Sequence, residues 1–115
     1  MSEDCAIEDI ASLLEDETAR TILTATSIEP MSATALSERC GVSEPTIYRR
    51  LEDLRACNLV EEQTKPDLSG GHHEKVYQPR LERVSVTLED GEMRLEIDRR
   101  QETMADRFTE LVEGL

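Results

Sequence analysis

Apolar residues recur at helical spacing through the first half of this 115-residue chain and alternate with polar ones in the second. Residues 6–14 (AIEDIASLL) place Ile7, Ile10, Leu13 and Leu14 on one helical face, and Glu17–Ile28 continues with Ile22, Leu23 and Ile28. The pattern breaks near Asp16 or Glu17, which predicts two helices. Glu29-Pro30 closes the second, because a residue before proline is pushed out of the helical region. Ser32 can cap a short helix over Ala33–Arg39, with Ala35, Leu36 and Cys40 turned inward. Gly41 supplies the left-handed backbone that ends it. Ser43 is the next cap, and Glu44 and Pro45 fall in a first turn where acid and proline are both favoured. Ile47, Leu51 and Leu54 give this helix, Ser43–Cys57, a single buried stripe.

The second half reads as strands. Leu59–Thr64 and Lys75–Gln78 flank the polar, glycine-bearing tip PDLSGGHH (66–73), the outline of a wing. Val84, Val86 and Leu88, then Met93, Leu95 and Ile97, alternate across Asp90-Gly91, a strong hairpin signal. Arg99–Leu115 returns to helical spacing, with Met104, Phe108, Leu111, Val112 and Leu115 on one side. A small domain does not need that stripe to close its own core, so it is read as a dimerisation surface. The expected fold is α+β and mainly helical: a winged helix-turn-helix with an additional β-hairpin and a C-terminal dimerisation helix. Residues 1–80 would be the DNA-binding region and 81–115 the hairpin and dimerisation helix of one compact domain.

Charge complicates this picture. The net charge is −13, whereas a DNA-binding domain usually carries a basic patch. The negative charge is concentrated in the flanks, however. Residues 1–38 hold nine acids and one base, residues 84–115 nine acids and four bases, and residues 39–83 eight of each. Only Lys65 and Lys75 among the bases are lysines, and such an acid-rich, lysine-poor composition is similar to that of proteins from extreme halophiles. At molar salt the Debye length is about 3 Å, so long-range repulsion from DNA is largely screened. An ordinary acidic protein that binds another protein is the competing reading of charge alone. No apolar run approaches the roughly 18 residues of a membrane span, and the acidic start MSEDCAIEDI lacks a signal peptide's features. A soluble, cytoplasmic protein is expected. Cys5, Cys40 and Cys57 are odd in number and form no CxxC, which suggests reduced thiols, with Cys40 and Cys57 buried as small hydrophobes.

The candidate chemistry lies on the helix after Gly41. At 100° per residue, Pro45, Thr46, Arg49 and Asp53 oppose the apolar stripe. Arg49 is placed to read a guanine edge through its bidentate fork, and Thr46 to touch a thymine methyl or a phosphate. Ser43, Tyr48, Arg50 and Arg55 are candidate phosphate contacts, which position without specifying. Lys65, His72, His73 and Lys75 bracket Gly70-Gly71, a tip suited to the minor groove or flanking phosphates. No metal or cofactor site is expected, since His72-His73 are adjacent and Cys40 is isolated. No phosphate loop, nucleophile elbow or HExxH suggests an enzyme.

Residues 31–62 (MSATALSERCGVSEPTIYRRLEDLRACNLVEE) resemble the helix-turn-helix of ArsR-like winged-helix transcriptional regulators, in particular the acidic versions common in haloarchaea. Ser43, Thr46, Ile47, Tyr48, Arg49, Leu51 and Leu54 match the family's recognition-helix pattern, and NLVEE matches its entry to the wing. The resemblance covers residues 17–80 well and the remainder loosely. It implies a homodimer on a pseudo-palindromic double-stranded DNA operator, with any small-molecule or redox effector unknown. Two alternatives stand beside it: a protein-binding winged-helix module of the transcription machinery, and a metal- or redox-responsive repressor of the same fold. Exposed acid at Glu44, Glu52 and Asp53 would favour the former.

Overall fold

The structure is a computed structural model and describes residues 5–66 and 73–100. The element order is α1 (Ile7–Glu15), α2 (Glu17–Thr26), β1 (Met31–Ser32), α3 (Ala33–Cys40), α4 (Glu44–Ala56), β2 (Val60–Pro66), β3 (His73–Pro79), β4 (Leu81–Glu89) and β5 (Glu92–Arg99). The break between the first two helices falls at Asp16. Its backbone is extended (φ −79°, ψ 122°), and its side chain accepts the Ala19 N–H at 2.8 Å. Ser32 caps α3 through the Ala35 N–H at 3.1 Å. Gly41 adopts φ +70° at the end of α3, and the Ser37 hydroxyl donates to the Val42 carbonyl across the turn.

The helices close around one core. Ile10, Ile22, Leu36, Ile47, Leu51, Leu54 and Leu59 are its largest fully buried side chains, so α1 to α4 and the start of the wing each contribute. Burying an aliphatic side chain of this size contributes roughly 1.5–3 kcal/mol. The stripe expected on α4 is the buried one; in α3, Leu36 is buried as expected, but Ala33 rather than Ala35 joins it.

The three-stranded antiparallel sheet has the order β1-β3-β2, with Met31 opposite Tyr77 and Val60 opposite Pro79. β1 was not foreseen, because two residues are too short to show a period of two. The second sheet is the β4–β5 hairpin. Asp90 and Gly91 both have positive φ (54° and 76°), the geometry of a type I′ turn. Val84, Val86 and Leu88 lie opposite Ile97, Leu95 and Met93, forming one apolar face. Val84, Leu95 and Ile97 pack against the core, while Val86, Leu88 and Met93 stay exposed.

Two expectations are corrected. The last helix was to begin at Arg99, but β5 runs through that residue. Arg99 pairs with Leu81, and its guanidinium donates to the carbonyls of Cys57 at 2.8 Å and Asn58 at 2.9 Å. Those contacts need the extended backbone that brings it back to the end of α4. The dimerisation residues Met104, Phe108, Leu111, Val112 and Leu115 lie outside the described residues, as does His72.

The second correction concerns the cysteines. Cys5 and Cys57, expected to be reduced, form a disulfide with Cα atoms 5.4 Å apart. α1 lies beside the C-terminal end of α4, so residues 52 apart in sequence meet, a proximity that local spacing does not encode. Cys40 remains a free thiol, half-buried, and burial pushes its pKa up.

Candidate nucleic-acid interface

The turn Gly41–Ser43 joins α3 to α4 and orients the helix that carries most candidate contacts. Ser43 has extended backbone (φ −71°, ψ 159°), and its hydroxyl accepts the Thr46 N–H at 3.4 Å, closing the first turn of α4. Its Oγ also lies 3.0 Å from Thr46 Oγ1. Arg49 Nη2 donates to the same Thr46 oxygen at 3.4 Å. Ser43, Thr46 and Arg49 therefore form one hydroxyl–guanidinium string on the exposed N-terminal half of α4. Among the described residues, Arg49 has no carboxylate partner. A neutral hydroxyl at 3.4 Å is a weak hold, readily exchanged for a stronger acceptor. Pro45 and Tyr48 are exposed beside this string.

Arg50, one of the expected phosphate contacts, is engaged elsewhere. Its Nε donates to Asp16 Oδ2 at 3.0 Å, and its Nη1 lies 3.7 Å from Asp53. Asp16 is thus the cap of α2 and the anchor of α4 together. Burial alone would raise its pKa, but the Ala19 N–H and Arg50 outweigh burial and hold it below the ordinary value of 3.8.

Arg55 and Lys75 are also partnered. Glu62, on β2, lies 3.7 Å from Arg55 and 4.0 Å from Lys75, and it accepts the Tyr77 hydroxyl at 3.0 Å. Burial, with Glu62 alongside, pushes the Tyr77 pKa up to about 12. These groups, with Tyr48, Leu51 and Glu52, line an open hollow of about 370 Å³ between α4 and the wing strands. One carboxylate, Glu62, thus lies between α4 and β3 and is shared by two candidate cations. On the wing itself Lys65 and His73 are exposed, and Lys65 has no carboxylate partner within 4.0 Å among the described residues.

The acids that could repel DNA are unequal. Glu44 is turned toward α3, where it accepts the Thr34 hydroxyl at 3.2 Å. Asp53 is balanced by Arg50, whereas Glu52 lines the hollow on the wing side of α4. Glu44, Glu52 and Asp53 are nonetheless all exposed, the arrangement expected to favour a protein-binding module.

Sequence reasoning missed Asp16 and Glu62 as parts of this surface. Asp16 was legible as a helix break but not as an ion-pair partner 34 residues from Arg50. Glu62 sat in the matched NLVEE segment, yet its role depends on the β2–β3 register that puts it opposite Tyr77.

Among the described residues no helix is long and apolar enough to cross a membrane. Comparison with curated proteins gives no match. Residues 14–63, from the end of α1 into β2, match the family model for a helix-turn-helix domain. Over these residues the chain is similar to helix-turn-helix domains.

Proposed function

We propose that the protein is a sequence-specific transcriptional regulator that binds double-stranded DNA as a homodimer, of the ArsR-like winged-helix type, with α4 in the major groove. The observation that carries this reading is Arg49, exposed on the N-terminal half of a capped α4 and without a carboxylate partner among the described residues. Arg49 reads a guanine edge, and Thr46 and Pro45 line the same approach. Ser43 and Tyr48 reach phosphates, while Lys65 and His73, with His72 beyond the described residues, carry the wing to the flanking backbone or minor groove. Arg50, Arg55 and Lys75 act mainly by bracing, since each is held by Asp16 or Glu62. No reaction is assigned to the protein.

The homodimer reading is supported by the exposed Val86, Leu88 and Met93 on β4–β5, and in the sequence by the stripe Met104, Phe108, Leu111, Val112 and Leu115. The chain's acid-rich composition suits a halophile's cytoplasm, where high salt screens repulsion from DNA.

Arg49→Ala tests the assignment. In a mobility-shift assay at molar salt, losing a bidentate base contact should weaken operator binding by on the order of 10- to 100-fold while leaving the fold intact. Unchanged binding by the folded variant would remove α4 as the reading element and favour the protein-binding alternative.

A further inference from the structure

We infer that Cys5 and Cys57 form a thiol–disulfide exchange site, and that its opening by a dithiol reductant releases the N-terminal segment from the C-terminal end of α4. Three observations converge on it. The bond joins Cys5, two residues before α1, to Cys57, the C-cap of α4. It borders an open hollow of about 330 Å³ lined by Asp9, Ser12, Leu13, Asp53 and Ala56, so a small reductant has a way in. Cys57 belongs to the buried core, whereas Cys5 is half-buried at its edge, so the bond is reached from the Cys5 side.

The two sulfurs are unequal in a way that sets the order of events. Cys57 is 3% exposed and Cys5 is the more accessible, so an incoming thiolate attacks Cys5 Sγ. The Sγ–Sγ bond breaks, and Cys57 leaves as a thiolate that takes a proton from water. The reductant's second thiolate then attacks the mixed disulfide and forms its own disulfide. Cys5 is released as a thiolate and takes up the second proton. Two electrons pass from the dithiol to the cysteine pair. Asp9 and Asp53 line the approach and repel anionic reductants, which favours a neutral dithiol.

The position makes the bond consequential. Cys57 is followed by Asn58, at φ +59°, and by Leu59, whose N–H bonds the Leu54 carbonyl and whose own carbonyl accepts from Arg80 and Leu81. Arg99 donates to the carbonyls of Cys57 and Asn58. Residues 57–59 thus join α4, the wing and the β4–β5 hairpin, and the disulfide adds α1 to that junction. Reduction leaves the junction one anchor short and α4 less fixed. A less preorganised helix binds DNA more weakly, a consequence that rests on the DNA-binding reading above.

The full-length protein with Cys40→Ser gives a clean thiol count. Titration with dithiothreitol without denaturant should take it reversibly from no free thiol to two. Amide exchange at residues 6–10 should rise by on the order of 10-fold, and the Tm should fall by on the order of 10–20 °C while unfolding stays cooperative. Cys5→Ser, at a half-exposed position, should reproduce the reduced behaviour without reductant. A protein isolated with two free thiols that mild oxidants cannot join overturns the inference. So does a bond that resists dithiothreitol until the protein is denatured, or one that opens with α1 exchange unchanged. Operator binding in the two states separates the readings. Weaker binding on reduction supports the coupling to α4, and equal binding refutes it. Absence of binding in both states refutes the DNA reading, while the thiol count and amide exchange still decide on the exchange site.

Discussion

Asp16 carries two structural duties on one carboxylate. It caps α2 through the Ala19 N–H and holds Arg50 of α4. Asp16→Ala should therefore destabilise the protein by about 1–2 kcal/mol in denaturant unfolding, most of it from the lost cap. The same group shapes the acid limb. Its folded pKa is lowered from 3.8, so the stability it contributes is complete above that value and is lost as pH falls through the lower folded value. In Asp16→Asn, which cannot titrate, the wild-type loss of stability below pH 3.8 should shrink. An acid limb identical to wild type would show that the Asp16–Arg50 pair contributes nothing. Residue-scale legibility was uneven. Ser32, Gly41 and Ser43 act within four residues of themselves, and each stood out in the sequence. The partners of Asp16, Glu62 and Cys57 are set by how helices and strands cross.

At the scale of elements, periodicity was the reliable guide. The α4 stripe of Ile47, Leu51 and Leu54 and the Asp90-Gly91 hairpin both follow from local rules, and Leu51→Ala should cost about 2–5 kcal/mol because the site is fully packed. β1 and the end of β5 were not legible, because a two-residue strand has no period and Arg99 belongs to a strand for the sake of distant carbonyls. The β4–β5 hairpin carries an element-level prediction. Its base is packed against the core and its tip is not, so Leu88→Ser with Met93→Ser should leave thermal stability nearly unchanged. If the apolar face is part of a subunit contact, the same pair should shift the mass measured by light scattering from dimer toward monomer at micromolar concentration. Wild-type protein that is already monomeric there would remove the proposed role of residues 81–115.

For the whole molecule, composition and geometry pull in different directions. The net charge of −13 argues against a polyanion as partner, yet Arg49 has no carboxylate partner among the described residues. Few cations are left without a carboxylate neighbour to meet phosphates, because Arg55 and Lys75 share Glu62. The logarithm of operator affinity should consequently fall with the logarithm of salt at a slope of only about −2 to −3 per copy, at −0.9 for each phosphate neutralised. A much steeper slope in filter binding would mean that the Glu62 pairs open on DNA. Composition alone revealed the charge; only the fold shows which charges are already spent on each other.

The guanidinium of Arg99 is where these scales meet. A hairpin anchored only by apolar contacts at its base could rock on the body of the protein without disturbing anything else. Because Arg99 grips the two carbonyls that terminate α4, the hairpin behaves as a lever whose short arm is the end of that helix. On the proposed reading, a second copy seated on its exposed tip would exert torque on the helix itself, and would couple subunit geometry to the pitch at which α4 meets a groove.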